Sequence, residues 1–253
     1  MFAVARRDEV RSRLLARARG DADVSAAALT GSAARGVEDR WSDVDLLLGV
    51  APGRVVAEVL AAWSEFVYAE FGALHHFDLR SGAAVYRAFL LADGLEVDLG
   101  FTPAGEFGQV GDGGFRPVFG EAVEPRRTTT DAAHLVGYAW HHVLHARTAI
   151  ERGRPWLAEY WISGVRDQVL ALACLRLDLP TAYAKGADGL PAELTEPLAG
   201  ALVRSLDAAE LWRALGAATG ALVGELRATE PALAERLAGL LVSLGTRPAG
   251  GRG

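Results

Sequence analysis

The sequence predicts an α+β chain, with a mixed sheet carrying a helix or two in its first half and a helical bundle in its second. Three observations predict it. Short alternating apolar runs, broken by Gly and Pro, fill the stretch up to about Phe101. An interval without strong periodicity follows, Thr102 to Thr130, holding Pro103, Pro117, Pro125 and six glycines. From Thr129 the apolar spacing turns helical and stays so through Leu244. The expected division is therefore a sheet domain over 1–125, a helical domain over 126–245, and a Gly/Arg/Pro-rich disordered tail over 246–253.

Each element has its own signal. Met1 to Gly20 is Arg-rich like a transit peptide, but Asp8 and Glu9 interrupt it. Val4, Val10, Leu14 and Leu15 fall near helical spacing, so it reads as an amphipathic first helix. Val24 to Leu29 is a short apolar strand that runs into Thr30-Gly31-Ser32, and the polar segment Ala33 to Ser42 leads to a second strand, Val44 to Val50. Pro52-Gly53 breaks the chain before a helix from about Val55 to Phe71. Strands are expected near Leu74–Leu79, Ala84–Leu91 and Leu95–Phe101, the last two joined by the turn Ala92-Asp93-Gly94. Thr102 to Thr130 reads as a long connector. Two helices follow, broken near Gly153-Arg154-Pro155, then the connector Leu179 to Pro191, then further helices.

With 253 residues, 51% hydrophobic and 23% charged, the chain is long enough for a sizeable core and too apolar to be disordered. A net charge of -6 disfavours nucleic acid as a partner, because phosphate-backbone affinity rests on Lys and Arg. It suits a cationic small substrate. No apolar run is long enough to cross a bilayer. The single Cys174 has no disulfide partner and lies in the apolar run Val169 to Leu175, which reads as a buried thiol in a reducing cytoplasm.

The chemistry lies in Trp41-Ser42-Asp43-Val44-Asp45-Leu46. Alternate strand residues share a face, so the Asp43 and Asp45 carboxylates point the same way while Val44 and Leu46 enter a core. Adjacent carboxylates repel unless a cation sits between them, and oxygen-only ligands select a hard ion such as Mg²⁺. Leu95-Glu96-Val97-Asp98-Leu99 supplies a further acid on a later strand, with Asp98 and Glu96 on one face. Two ions about 3.5–4 Å apart can stabilise both oxygens of a phosphoryl displacement. Gly31 lets backbone approach a phosphate closely, Ser32 can donate to it, and Arg35 can add charge, with a helix starting near Ala33 strengthening the site.

Gly31-Ser32-Ala33-Ala34-Arg35-Gly36 followed by Trp41-Ser42-Asp43-Val44-Asp45-Leu46 resembles the signature of the polymerase-β-like nucleotidyltransferase superfamily. More narrowly it is similar to bacterial aminoglycoside and lincosamide nucleotidyltransferases and to minimal nucleotidyltransferases paired with helical HEPN proteins. The resemblance covers about residues 24–101, and more loosely the helical half. It implies a nucleoside triphosphate, usually ATP, with Mg²⁺, and nucleotide transfer to an acceptor hydroxyl. It also implies that Asp98, rather than Glu96, is the third acid and the base.

Weaker candidates lie in the helical half. Glu159, Ser163 and Arg166 share a helix face at three- and four-residue spacings, and either an ordinary salt-bridged face or a site fits them. Glu159 is the candidate for holding or deprotonating the acceptor, and Arg166 for contacting the nucleotide. Lys185, beside Gly186, is the candidate triphosphate ligand. His141, His142 and His145 lack a metal-site pattern and read as domain packing or cleft lining, while Trp140, Trp156, Tyr160 and Trp161 read as core at a domain interface, with an acceptor or adenine pocket as the alternative.

The expected function is transfer of AMP from ATP to a small hydroxylated acceptor such as an aminoglycoside-like antibiotic. The alternative is an antitoxin-like enzyme adenylylating a HEPN-type toxin protein or an RNA. A catalytically dead nucleotide-binding module is disfavoured by the presence of all three acids.

Overall fold

A computed structural model describes residues 2–110, 114–125 and 131–248. The chain divides into two compact units, Met1–Thr128 and Thr129–Gly253. Residues 126–130, at the expected domain boundary, and 249–253, most of the expected tail, lie outside the described residues.

In the first unit, helix α1 spans Val4–Gly20 and buries Arg7, Val10, Leu14 and Ala18, one residue per turn. Strand β1 (Val24–Thr30) feeds directly into a single-turn helix, α2 (Gly31–Arg35), which ends where Gly36 adopts φ +70. Strand β2 is Val44–Val50, and helix α3 spans Val56–Phe71. Three strands follow, β3 (Ala73–Ser81), β4 (Ala84–Leu91) and β5 (Glu96–Pro103), then the edge strand β6 (Phe115–Phe119).

Among the described residues these strands form one mixed sheet, ordered β3-β4-β5-β2-β1-β6. β2 and β5 run parallel, while the other neighbours run antiparallel. One face is closed by α1 and α3. Val44, Leu46, Leu48 and Val50 point there, packing with Val97, Leu99 and Phe101 and with Leu14, Trp63 and Val67. The Trp63 indole is fully buried and donates to Asp21 at 2.9 Å, which satisfies its N–H. On the opposite face a small cluster, Ala26, Ala28, Leu47 and Phe107 with Tyr86 and Phe115, covers part of the sheet. That face carries the acids.

The Thr102–Thr130 stretch departs from its reading as a bare connector. Within it β6 pairs with β1, and Phe107 is fully buried. Phe-Arg-Pro-Val-Phe reads poorly as a strand because Pro117 cannot donate to a ladder. An edge strand has one side free of that demand, so the proline is tolerated. Several of the stretch's glycines are close-approach residues. A Cβ on Gly108 would meet the Val123 carbonyl at 2.7 Å, and one on Gly120 would meet Ala26 Cα at 2.6 Å.

The second unit is helical. α4 (Ala132–Glu151) and α5 (Pro155–Arg176) meet at Gly153, whose φ of +61 turns the chain, with Pro155 opening the next helix. α6 (Ala192–Ala199), α7 (Ala208–Thr229) and α8 (Pro231–Gly245) complete it. Val143, Ile162, Val165, Leu211, Leu215 and Leu222 form its centre. Cys174 is buried, and burial pushes its thiol pKa up. Glu225 is buried and takes two hydrogen bonds from Arg176, at 2.7 and 3.1 Å. Among the described residues no helix is long and apolar enough to cross a membrane.

Candidate metal centre

Parallel pairing of β2 and β5 sets Asp45 directly beside Asp98. Residues side by side in a ladder project to the same face, so both carboxylates stand on the face away from α1 and α3. Asp43 precedes Val44, the first residue of β2, and its side chain reaches the same place. One carboxylate oxygen from each of Asp43, Asp45 and Asp98 lies within 4.8 Å of the other two, and all three residues are half-buried. Glu96 opens β5, is exposed, and is outside this group.

The donor set fits a hard divalent cation. A Mg²⁺–oxygen bond of about 2.0–2.1 Å places oxygens on opposite sides of one ion about 4 Å apart. The three oxygens, all within 4.8 Å of one another, are near enough to share such an ion. Among the described residues no nitrogen or sulfur ligand joins the cluster, and an oxygen-only set suits a hard ion better than zinc. The three side chains could therefore hold a metal ion.

Gly31 fits closely against this group. Its φ is +58, in the region glycine adopts without strain, and a Cβ there would overlap the Asp45 carboxylate. The Gly31 backbone thus lies against the Asp45 carboxylate. Ser32 is half-buried in the first turn of α2, and Arg35, exposed, closes that helix. The helix starts at Gly31, two residues earlier than the sequence suggests.

Two residues of the unforeseen edge region hold α2. Gly114 has no room for a Cβ, which would meet the Gly31 carbonyl at 2.6 Å and Arg35 Cγ at 2.7 Å. Arg116 donates from Nη2 to the Ala33 carbonyl at 3.2 Å. Neither has a signal in the sequence, because both contacts depend on β6 returning beside β1. Next to Gly31 a cleft of about 130 Å³ is lined by Thr30, Leu47, Tyr86, Gln109 and Phe115. A second, of about 250 Å³, adjoins it over Tyr86, Ser81, Thr102 and Glu106. Burial pushes the Tyr86 hydroxyl pKa up.

Arg7 is a third residue the sequence reading passed over. It is only 4% exposed, and its Nη1 donates to the carbonyls of Asp39 at 2.5 Å and Ser42 at 3.5 Å. Its place on the buried stripe 7, 10, 14, 18 was the available signal. A charged residue on a core stripe calls for a partner.

The remaining candidates belong to the second unit. Ser163 donates to Glu159 at 2.7 Å, so part of the expected helix face is formed. Arg166 pairs with its neighbour Asp167 at 3.1 Å rather than with Glu159. Lys185 is exposed, with its ammonium 5.9 Å from the Tyr183 ring, and Tyr183 and Ala184 both hold positive φ. His141, His142 and His145 gather around the Trp161 ring, with centroids 6.2, 5.0 and 4.9 Å away. They form a packing cluster and not a ligand set.

No family model matches the chain, and no curated protein matches it. Among solved structures it is similar to the crystal structure of an aminoglycoside 6-adenyltransferase from Bacillus subtilis. The TM-score is 0.40 and the identity 12%, over 91% of this chain and 95% of that one.

Proposed function

We propose that the chain is a Mg²⁺-dependent nucleotidyltransferase that moves AMP from ATP to a hydroxyl of a small acceptor, such as an aminoglycoside-like antibiotic. The observation that carries this reading is the convergence of Asp43, Asp45 and Asp98 oxygens within 4.8 Å beside the Gly31 turn. Its support in the sequence is the resemblance of residues 31–46 to the polymerase-β-like superfamily.

In this reading Asp43, Asp45 and Asp98 hold the metal, two ions when the triphosphate is bound. Mg²⁺ supplies charge neutralisation at the attacking and leaving oxygens of the displacement. The Gly31 backbone, which leaves room for the Asp45 carboxylate, lies beside the triphosphate, the Ser32 hydroxyl donates to it, and Arg35 adds positive charge. Asp98 accepts the proton of the acceptor hydroxyl as that oxygen attacks the α-phosphorus and pyrophosphate leaves. From the second unit, Arg166 and Lys185 are proposed nucleotide ligands and Glu159 an acceptor ligand.

The test is transfer of label from ATP labelled at the α-phosphate, with Mg²⁺, to a panel of aminoglycosides and lincosamides. Label on an acceptor, absent with Asp45→Asn, supports the reading. An active enzyme with Asp45→Asn as fast as wild type overturns the site. Asp45-dependent label on a helical toxin protein or an RNA, with none on small molecules, moves the assignment to an antitoxin-like enzyme.

A further inference from the structure

Asp45 and Asp98 are fixed by the sheet. Each sits inside a strand, and they face each other across one ladder. Asp43 is different. It precedes the first paired residue of β2, so no ladder holds its backbone. Its position is set by the turn before it.

That turn is closed from inside. The Asp39 carboxylate accepts from the Trp41 amide at 2.8 Å and from the Ser42 hydroxyl at 3.2 Å. The Asp39 amide donates to Ser42 Oγ at 2.9 Å, and the Ser42 amide to the Asp39 carbonyl at 3.3 Å. It is also held from outside, by one side chain of α1. Arg7 places the same guanidinium nitrogen against the Asp39 and Ser42 carbonyls, the first and last of the turn. The Arg7 Nε faces Asp8 at 3.4 Å and Glu38 at 3.6 Å, and Glu38 is in turn gripped by Arg11. Burying a guanidinium is unfavourable unless its donors are used, and here Nη1 is used on a loop that leads to Asp43.

We propose that Arg7 is a positioning residue for the metal centre, fixing Asp43 by clamping the Asp39–Ser42 turn. The inference rests on the metal-site reading above. Arg7 touches neither ion nor substrate, and its effect passes through the backbone that carries Asp43. A cation that needs three oxygens at fixed distances loses affinity when one of them is free to wander. Side chains that orient metal ligands are typically worth about 10–100-fold in affinity.

The test is Mn²⁺ titration of the full chain followed by electron paramagnetic resonance, with thermal melting alongside. Wild type is expected to bind Mn²⁺ at a site that Asp45→Asn removes. Arg7→Met is expected to weaken that site about tenfold or more, and Arg7→Lys to recover part of the loss, since one ammonium can still reach a carbonyl. Asp39→Ala, at an exposed position, loosens the same turn without opening the core and is expected to weaken Mn²⁺ binding too. Leu14→Ala, a core change elsewhere on α1, is expected to lower the melting temperature and leave Mn²⁺ affinity alone.

Unchanged Mn²⁺ affinity in Arg7→Met or in Asp39→Ala overturns the proposal while leaving the metal site standing. An equal loss in Leu14→Ala also overturns it, because the effect would then be general destabilisation. A wild type with no Asp45-dependent Mn²⁺ site removes the proposal together with the reading it rests on.

Discussion

Asp45 and Asp98 stand opposite one another in register on the parallel strands β2 and β5, on the sheet face away from α1 and α3. Asp45→Asn or Asp98→Asn is expected to reduce nucleotide transfer by more than about 100-fold, as for loss of one group that neutralises transition-state charge. Turnover of the two variants checks this.

Gly31→Ala combines a backbone penalty with a steric one. At φ +58 an alanine costs about 1 kcal/mol or more, and its methyl overlaps the Asp45 carboxylate. The variant is expected to fold with a lower melting temperature and to lose both Mn²⁺ binding and transfer. Gly36→Ala, where φ is +70 but nothing lies within 4 Å of a new Cβ, is expected to show only the backbone cost. Comparing the two by melting and Mn²⁺ titration separates strain from displacement of the acid.

The core motif was legible because strand alternation alone puts Asp43 and Asp45 on one face, with Val44 and Leu46 opposite. The helical second half was legible from its apolar spacing and from the Gly153-Pro155 break. Strand order was not legible, since β2 and β5 are separated by α3 and two strands. β6 was hidden by Pro117, and Gly114 looked like loop composition when it is in fact a contact with Gly31. Arg7 draws no attention in a sequence rich in arginine, although its spacing from Val10, Leu14 and Ala18 puts it on the buried stripe.

Arg87 donates to both carboxylate oxygens of Asp78, at 2.6 and 2.8 Å, and holds the Asp78 pKa below its ordinary value. A carboxylate with a depressed folded pKa contributes stability that is fully present above its unfolded pKa. The contribution fades as pH falls through about 4 and on toward the folded value. Arg87→Met is therefore expected to cost about 1 kcal/mol at pH 7 and less at pH 3. Melting temperatures of both proteins across that range are expected to converge on the acid side.

Glu225 is only 3% exposed and takes hydrogen bonds on both carboxylate oxygens from Arg176. Arg176→Met strands that carboxylate and is expected to cost about 3–5 kcal/mol. Arg176→Met with Glu225→Gln together is expected to be milder than Arg176→Met by itself, because the uncompensated charge is gone. Urea denaturation of both variants gives the comparison.

The measurement that bears most directly on the metal-centred site is isothermal titration of ATP into wild type and Asp45→Asn, each with and without Mg²⁺. The expected result is binding by wild type that requires Mg²⁺ and falls away in Asp45→Asn. ATP binding of equal strength without Mg²⁺, or undiminished by Asp45→Asn, would contradict a triphosphate held through the Asp43, Asp45 and Asp98 carboxylates.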